Sequence, residues 1–320
     1  MAEKTIRVGL VGAGNIAQIA ELPGLVRLPG VQIAGVVTKI REEAERNRLR
    51  WPIERAYDTA EEMIAEANLD ALFVLTPKHL HTPFVELGLK SGLDVFCEKP
   101  LTTRIQESRY LVDLAAQTDR LLMVGFNRRY AEVYVRAHEA FGGGRAQFVV
   151  AQKNREGSEY RATLENAIHM IDLLRWFCGE AEQVTAHAIA PDPYQEDGTM
   201  ALIRFDSGAV GVLVAARSAG EWDERLDAYG SLTSVRVVTP DSVSITRGGE
   251  TCTIEMRPRA LGWVEANKTL GFGPEVEHFI GCIRERRQPL TNGTEALKTQ
   301  ELVDAILESA GLPLDDRIEE

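Results

Sequence analysis

Two side chains stand where charge and proton chemistry would be done: Lys99, within Cys97-Glu-Lys-Pro-Leu101, and His169, within Glu165-Asn-Ala-Ile-His-Met-Ile-Asp172. Lys99 follows a short apolar run that reads as a strand of a parallel sheet, and ligands bind beyond the carboxyl ends of such strands. An ammonium there can hydrogen-bond a reacting oxygen and stabilise the alkoxide-like charge that develops as a hydride leaves the neighbouring carbon. Glu98 beside it can orient the lysine or hold a ribose, and Pro100 fixes the turn. Histidine titrates near neutral pH, which suits His169 to moving a hydroxyl proton. If Glu165–Asp172 is helical, Glu165, His169 and Asp172 fall at i, i+4 and i+7 on one face, so that a carboxylate one turn away can orient the ring.

A third pattern points to the hydride carrier. Gly12-Ala-Gly14-Asn15-Ile16-Ala17 follows the first apolar run directly and opens a helical pattern. Gly12 permits the tight turn, Gly14 lets backbone approach a pyrophosphate, and Ala17 lets helix and strand pack closely. The phosphates then sit at the helix amino terminus, beside Asn15 and Ile16. Dinucleotide binding is the expectation. An acidic residue at the end of the second strand would hold the ribose hydroxyls of NAD. The chain reads Val36-Val-Thr-Lys-Ile-Arg41 there, with no carboxylate before Glu42. Thr38, Lys39 and Arg41 point instead to a 2′-phosphate, hence NADP(H), with NAD(H) as the alternative.

Holding these residues in place calls for a sheet with helices around it. Between Ile6 and Gly125 short apolar runs alternate with helical patterns, the sign of a doubly wound α/β fold. Strands are expected at Ile6–Val11, Val31–Val37, Ala71–Leu75, Asp94–Cys97 and Leu121–Gly125. Thr59 with Glu62 forms a capping box, Gly92 ends a helix begun near Thr82, and Ile105–Thr118 is amphipathic. After Arg129 one helical pattern, Asn166–Phe177, gives way to β-rich runs at Gln183–Ala188, Met200–Phe205, Val210–Ala215, Leu226–Gly230, Ser234–Val238 and Cys252–Glu255. Turns at Asp206-Ser-Gly208 and Arg247-Gly-Gly249 separate them, so antiparallel hairpins are expected. Two helical patterns, Pro274–Arg286 and Thr294–Ala310, close the chain. The expected fold is α/β plus α+β: a Rossmann domain with a doubly wound parallel sheet over 1–126, then a mostly antiparallel α+β domain over 127–320, one helix of which covers the first.

Composition narrows the partners. A chain of 320 residues, 44% hydrophobic and 26% charged, is long enough for two ordinary domains with substantial cores. Its 36 Lys and Arg against 48 Asp and Glu leave −12, which argues against a nucleic-acid partner. Residues 127–178 run the other way, with 8 basic side chains against 6 acidic. Arg128, Arg129, Lys153, Arg155 and Arg161 lie there, flanking His169, and Tyr130, Tyr160 and Asn166 add hydrogen-bonding groups. The substrate is therefore expected to carry a carboxylate or phosphate gripped by one or two of these arginines. Four cysteines without a C-x-x-C pair, and His79 and His81 without a third ligand, give no reason to expect a disulfide framework or a metal. No apolar run approaches the ~18 residues of a membrane span. The first residues run straight from a polar lead into a strand, leaving no signal-peptide core, so a cytoplasmic protein without a membrane partner is expected.

Thr76-Pro77 with His81 and Pro83, the Glu98-Lys99-Pro100 motif, Gly125-Phe-Asn-Arg-Arg129-Tyr130 and the glycine loop together resemble the signature of the Gfo/Idh/MocA oxidoreductases, the family of glucose-fructose oxidoreductase and inositol dehydrogenase. The likeness runs over nearly the whole chain, to Glu277-His-Phe-Ile and Pro289. It implies a carboxy-terminal open-faced sheet and hydride transfer at a secondary alcohol or ketone of a sugar, polyol or sugar acid. It places Thr76, Pro77, His81, Glu98 and Lys99 on the cofactor side and makes the Lys99–Pro100 bond cis. Substrate is then met by Lys99, Arg128, Arg129, Arg155, Asn166 and His169. The family pattern has Asp four positions before the histidine. Glu165 stands there instead, which leaves open whether it orients His169 or reaches substrate. The family also uses an exposed sheet face, here Val210–Ala215, for self-association, which implies a homodimer or homotetramer. The same fold serves non-catalytic dinucleotide sensors and reductases of dihydrodiols or imines; retention of Lys99 and His169 favours chemistry over sensing.

Overall fold

The computed structural model describes residues 4–157, 161–256 and 266–315. The chain divides into two units: Met1–Phe126 with Ala266–Leu297, and Asn127–Glu265 with Lys298–Glu320.

The first unit is built on six parallel strands, β1 (Ile6–Val11), β2 (Val31–Val37), β3 (Ile53–Ala56), β4 (Ala71–Val74), β5 (Asp94–Cys97) and β6 (Leu122–Val124), in the order β3-β2-β1-β4-β5-β6. Its crossover helices are α1 (Leu22–Arg27), α2 (Arg41–Arg50), α3 (Ala60–Glu66), α4 (His81–Lys90) and α5 (Ile105–Gln117). β4 and β5 are buried along their whole length, as apolar strands covered on both faces must be. Strand order reverses between β1 and β4, so the loops after these strands share the crevice where ligands bind in such folds. Local chemistry sets the helix ends. Thr59 Oγ1 accepts the Glu62 N–H at 3.1 Å while Glu62 Oε2 accepts the Asp58 N–H at 3.2 Å, and Gly92 leaves α4 at φ +77°. A π-helical turn over Ala17–Glu21 precedes α1.

β3 has no counterpart in the sequence reading. It is an edge strand whose two central residues, Glu54 and Arg55, are exposed, so its apolar signal is confined to Ile53 and Ala56.

The second unit carries α6 (Glu132–Glu139), β7 (Phe148–Glu156), α7 (Ile168–Cys178), β8 (Ala181–Ile189), β9 (Gly198–Phe205), β10 (Val210–Ala216), β11 (Ser218–Gly230), β12 (Thr233–Val238), β13 (Ser242–Arg247) and β14 (Glu250–Glu255). The sheet order is β14-β13-β12-β11-β7-β10-β9-β8, antiparallel throughout except for β7 against β10. Burial alternates along β9 and β10, so one face of the sheet packs inward, against α7, and the other looks out. β7 escaped the sequence reading because its second half, Gln152-Lys-Asn-Arg-Glu156, is polar.

Three helices close the chain: α8 (Ala266–Thr269), α9 (Phe272–Glu285) and α10 (Gly293–Ser309). α8 and α9 belong to the first unit, where Phe279 packs edge-on to Phe73 at 5.7 Å and 5.9 Å from Phe96. The chain thus crosses between units three times, at 126/127, just before α8 and within α10, where a single boundary at 126/127 implies one crossing. Among the described residues no helix is long and apolar enough to cross a membrane.

Candidate active site

The two loop glycines are small for different reasons. Gly12 has φ +91°, and a Cβ there would lie 2.6 Å from the Leu75 carbonyl oxygen and 2.9 Å from the Thr76 nitrogen. It therefore lets the first loop lie on the end of β4. A Cβ on Gly14 would meet nothing within 4 Å. No atom of the described residues demands a glycine at that position; open space lies over it. Asn15 and Ile16 are exposed beside it, and the first helical bond, Gln18 N–H to the Gly14 carbonyl, is 3.1 Å. Unpaired N–H groups at that helix start are suited to an anion. Thr76 Oγ1, at the end of β4, is buried with no hydrogen-bond partner among the described residues. An open cradle, a helix start and an orphaned hydroxyl on adjacent loops fit a dinucleotide.

At the end of β2 the expected 2′-phosphate residues have these positions: Thr38 Oγ1 donates to the Ile40 carbonyl at 2.7 Å, and Lys39 is exposed. Arg41 lies 3.2 Å from Glu45 and 3.4 Å from Asp58, exposed pairs that contribute little and exchange readily.

Lys99 follows β5, on the same carboxyl edge, and the Lys99–Pro100 bond is cis. Glu98 turns back so that its Oε2 accepts the Lys99 backbone N–H at 3.1 Å. A Cβ on Gly125 would sit 3.2 Å from Glu98 Oε1, so Gly125 makes room for this carboxyl. His81 has a different role from the one expected. Its ring is 1% exposed, with Nδ1 2.8 Å from the Pro100 carbonyl and Nε2 2.9 Å from the Thr76 carbonyl. It ties the Lys99 loop to the Thr76 loop from behind instead of lining the cleft. Burial lowers its pKa, against the two carbonyls that favour the proton. Two further carboxyl groups, Glu21 on the π-helical turn and Glu275 on α9, are fully buried, and Glu21 lies near both Glu98 and Glu275. Sequence reasoning passed over both.

In the second unit Glu165 and Asn166 lie on a π-helical turn, Ala162–Ala167, and α7 begins only at Ile168. The single α-helical face expected for Glu165, His169 and Asp172 is therefore broken between the first two, because a π turn holds more than four residues. Glu165 Oε2 accepts the Arg161 N–H at 3.0 Å, closing that turn. His169 is in the first turn of α7 and largely buried. Asp172 is a structural anchor: Arg129 grips it with two bonds of 2.7 Å, and Thr299 Oγ1 donates to it at 2.9 Å.

The expected grip of Arg128 and Arg129 on a substrate anion is likewise corrected. Arg128 is bidentate to buried Glu224, at 2.6 and 2.9 Å, and Lys153 approaches the same carboxylate at 2.9 Å. Burial alone would raise the Glu224 carboxyl, but the two cations outweigh it and hold it far below the usual range. Arg161 pairs with buried Glu196 at 3.3 Å. The local basic surplus is thus neutralised internally by acids that come later in the chain. Asn166 Nδ2 donates to the Lys153 carbonyl at 3.2 Å, and Tyr130 is buried. Arg155, at the end of β7, is half-buried; Tyr160 lies outside the described residues.

Residues 6–126 match the oxidoreductase family with an NAD-binding Rossmann fold, and residues 133–236 match the Gfo/Idh/MocA C-terminal domain. The chain belongs to the Gfo/Idh/MocA oxidoreductase family. It is similar to the inositol 2-dehydrogenase of Rhizobium meliloti, 26% identical over 332 residues that cover 95% of this chain and 97% of the other. It is also similar to the scyllo-inositol 2-dehydrogenase (NAD(+)) of Bacillus subtilis, 23% identical over 92% of this chain and 91% of that one. An oxidoreductase of Agrobacterium radiobacter, solved with NAD+, L-tartaric acid and magnesium, shares the fold at a TM-score of 0.86 and 20% identity, covering 96% of this chain and 97% of its own. This member of the family is a nicotinamide-dependent oxidoreductase.

Proposed function

We propose that this oxidoreductase moves a hydride between NADP(H) and a secondary alcohol or ketone of a polyol, sugar or sugar acid. The reading rests on one observation: Gly14, whose smallness serves no contact among the described residues, and Lys99 both stand on the carboxyl edge of one parallel sheet, on the loops after β1 and β5. A bound dinucleotide supplies the nicotinamide ring that takes or gives the hydride. Gly12, Gly14, Asn15 and Ile16 hold the pyrophosphate at the helix start, Thr38, Lys39 and Arg41 hold the adenosine end, and Thr76 and Pro77 line the crevice. Lys99 Nζ donates a hydrogen bond to the substrate oxygen and steadies its negative charge. His169 takes the hydroxyl proton during oxidation and returns it during reduction, and half-buried Glu165 polarises its ring or meets a substrate hydroxyl. Similarity to an inositol 2-dehydrogenase supports a polyol. Among the arginines first considered for an anionic group, half-buried Arg155 suits that role.

Self-association belongs to the same reading. Cross-strand register aligns Met200 with Val214 and Leu202 with Val212, and Phe148 with both Val210 and Tyr229, an apolar stripe on the outer face of the second unit's sheet. Such a stripe suits a homodimer or homotetramer.

A spectrophotometric screen of NADP+ and NAD+ against inositols, sugars and sugar acids tests the proposal. The expected result is reduction of NADP+ by at least one of them, with NADP+ preferred by roughly tenfold or more in kcat/KM. Turnover with none overturns the reaction, and a preference for NAD+ overturns the cofactor assignment.

A further inference from the structure

We propose that Glu21 is a neutral carboxylic acid at neutral pH, that it donates a hydrogen bond to the Glu98 carboxylate, and that it thereby acts as a positioning residue for the Lys99 loop. The inference rests on the reading of Lys99 as the group that steadies the substrate oxygen.

The argument starts from the count of donors. Glu21 ends the π-helical turn that follows the glycine loop, between Ala20 and Leu22, and is wholly buried. Apart from the backbone N–H of Glu21 itself, neither of its carboxyl oxygens finds an N–H or O–H among the described residues, and neither does Glu98 Oε1. Glu98 Oε2 is satisfied by the Lys99 N–H at 3.1 Å. The Glu21 and Glu98 carboxyls lie within hydrogen-bonding reach of each other. As two anions they would be facing acceptors in a dry site, with a third carboxyl, Glu275, adding its charge. One shared proton turns a repulsion into a hydrogen bond and satisfies Glu98 Oε1 and one oxygen of Glu21.

The surroundings decide which of the two carries that proton. Glu98 faces the Lys99 ammonium and accepts the Lys99 N–H, and both favour its anion. Glu21 faces the charges of Glu98 and Glu275, with only its own backbone N–H to favour ionisation. The proton therefore rests on Glu21. Burial first, then the charge of Glu98, pushes the Glu21 acid well above the usual carboxyl range; burial also raises Glu98, but Lys99 and Glu21 draw it back. The other groups facing the pair are Glu275 from α9 and the buried Cys97 thiol at the end of β5, itself raised by burial and by Glu98. With one Glu98 oxygen held by Glu21, the other is fixed on the Lys99 backbone.

Infrared difference spectroscopy on the full chain tests this directly. Wild type at neutral pH shows the carbonyl stretch of a buried protonated carboxyl, and Glu21→Gln removes it. In kinetics, Glu21→Leu lowers kcat roughly ten- to hundredfold, the effect of leaving a buried acceptor unsatisfied. Dinucleotide affinity holds within about threefold, and Glu21→Gln, whose amide still donates, restores kcat to within about threefold of wild type. Glu21→Gln also abolishes an alkaline fall in kcat that wild type shows as Glu21 ionises. Absence of the protonated band at neutral pH, its survival in Glu21→Gln, or failure of Gln to rescue overturns the proposal. If neither variant folds, ¹³C-glutamate NMR of wild type decides: one side-chain carboxyl must keep its acid form through neutral pH. Full turnover in Lys99→Ala would defeat the reading of Lys99 while leaving the infrared result intact, so the two failures are distinguishable.

Discussion

Gly12 and Gly14 are two positions apart, yet substitution by alanine should separate fold from function. At Gly12 the left-handed backbone and the β4 carbonyl oppose a Cβ, so Gly12→Ala should cost roughly 1–3 kcal/mol and lower Tm. At Gly14 the added methyl enters open space, so Gly14→Ala should leave Tm unchanged and weaken NADP+ binding roughly tenfold, measured by fluorescence titration. Lys99→Ala and His169→Ala should each lower kcat by about 10²–10⁴-fold with dinucleotide affinity retained, as expected when a proton-handling or charge-stabilising group is lost. Wild-type turnover in either variant would remove that residue from the chemistry. All four residues stand out in the sequence as candidates because the information is local: a glycine spacing after a strand, a lysine after another, a histidine in a helical run. Arg128 and Arg129 were misread as substrate groups because their partners, Glu224 and Asp172, are 96 and 43 positions away. Glu21 stayed hidden for a related reason, since one carboxylate in an apolar helical stretch looks like a surface residue until burial is known.

Elements were legible in proportion to how much of each is apolar. β1, β2 and β5 match their expected spans to the residue, while β3 and β7 carry polar side chains on an edge or along one half. The π-helical turn before α7 could not be read from spacing, because periodicity alone does not register one extra residue in a turn. What joins elements in the second unit is largely the buried Glu224 carboxylate. Arg128 comes to it from the turn at Asn127–Tyr130, Lys153 from β7, and the Tyr134 hydroxyl from α6 at 3.1 Å. Removing the acid strands two buried cations, so Glu224→Leu should cost roughly 3–5 kcal/mol, read as a shift in the urea midpoint. The pH dependence follows from the direction of the shift. Because Glu224 titrates below its ordinary value of 4.5 when folded, its contribution is present above that pH and is lost as pH falls through and below it. Wild type should therefore lose stability in that acid range with a steeper slope than Glu224→Gln, and parallel curves would show that the triad adds nothing.

At the scale of the whole molecule, the charge of −12 says little about the ligand, since the acids of the second unit are partly spent inside it on Arg128, Arg129, Lys153 and Arg161. More telling is the outward face of the eight-stranded sheet. Met200 is 57%, Leu202 54% and Phe148 58% exposed, and strand register makes them neighbours of Val214, Val212 and Tyr229. The sequence showed alternation in these strands but not which runs lie side by side; that depends on the placing of β7 between β10 and β11. A contiguous apolar stripe of this kind is costly in water and is relieved when a second copy covers it. A charge at its centre should be tolerated by the monomer, where the position is already solvated, and rejected by an interface, where it would be desolvated without a partner. Leu202→Lys should then keep the far-ultraviolet circular dichroism and Tm of an isolated chain while sedimenting as a monomer at concentrations where wild type sediments as a dimer or tetramer. A monomeric wild type at those concentrations would refute assembly through this face, and an oligomeric Leu202→Lys would move the interface elsewhere on the molecule.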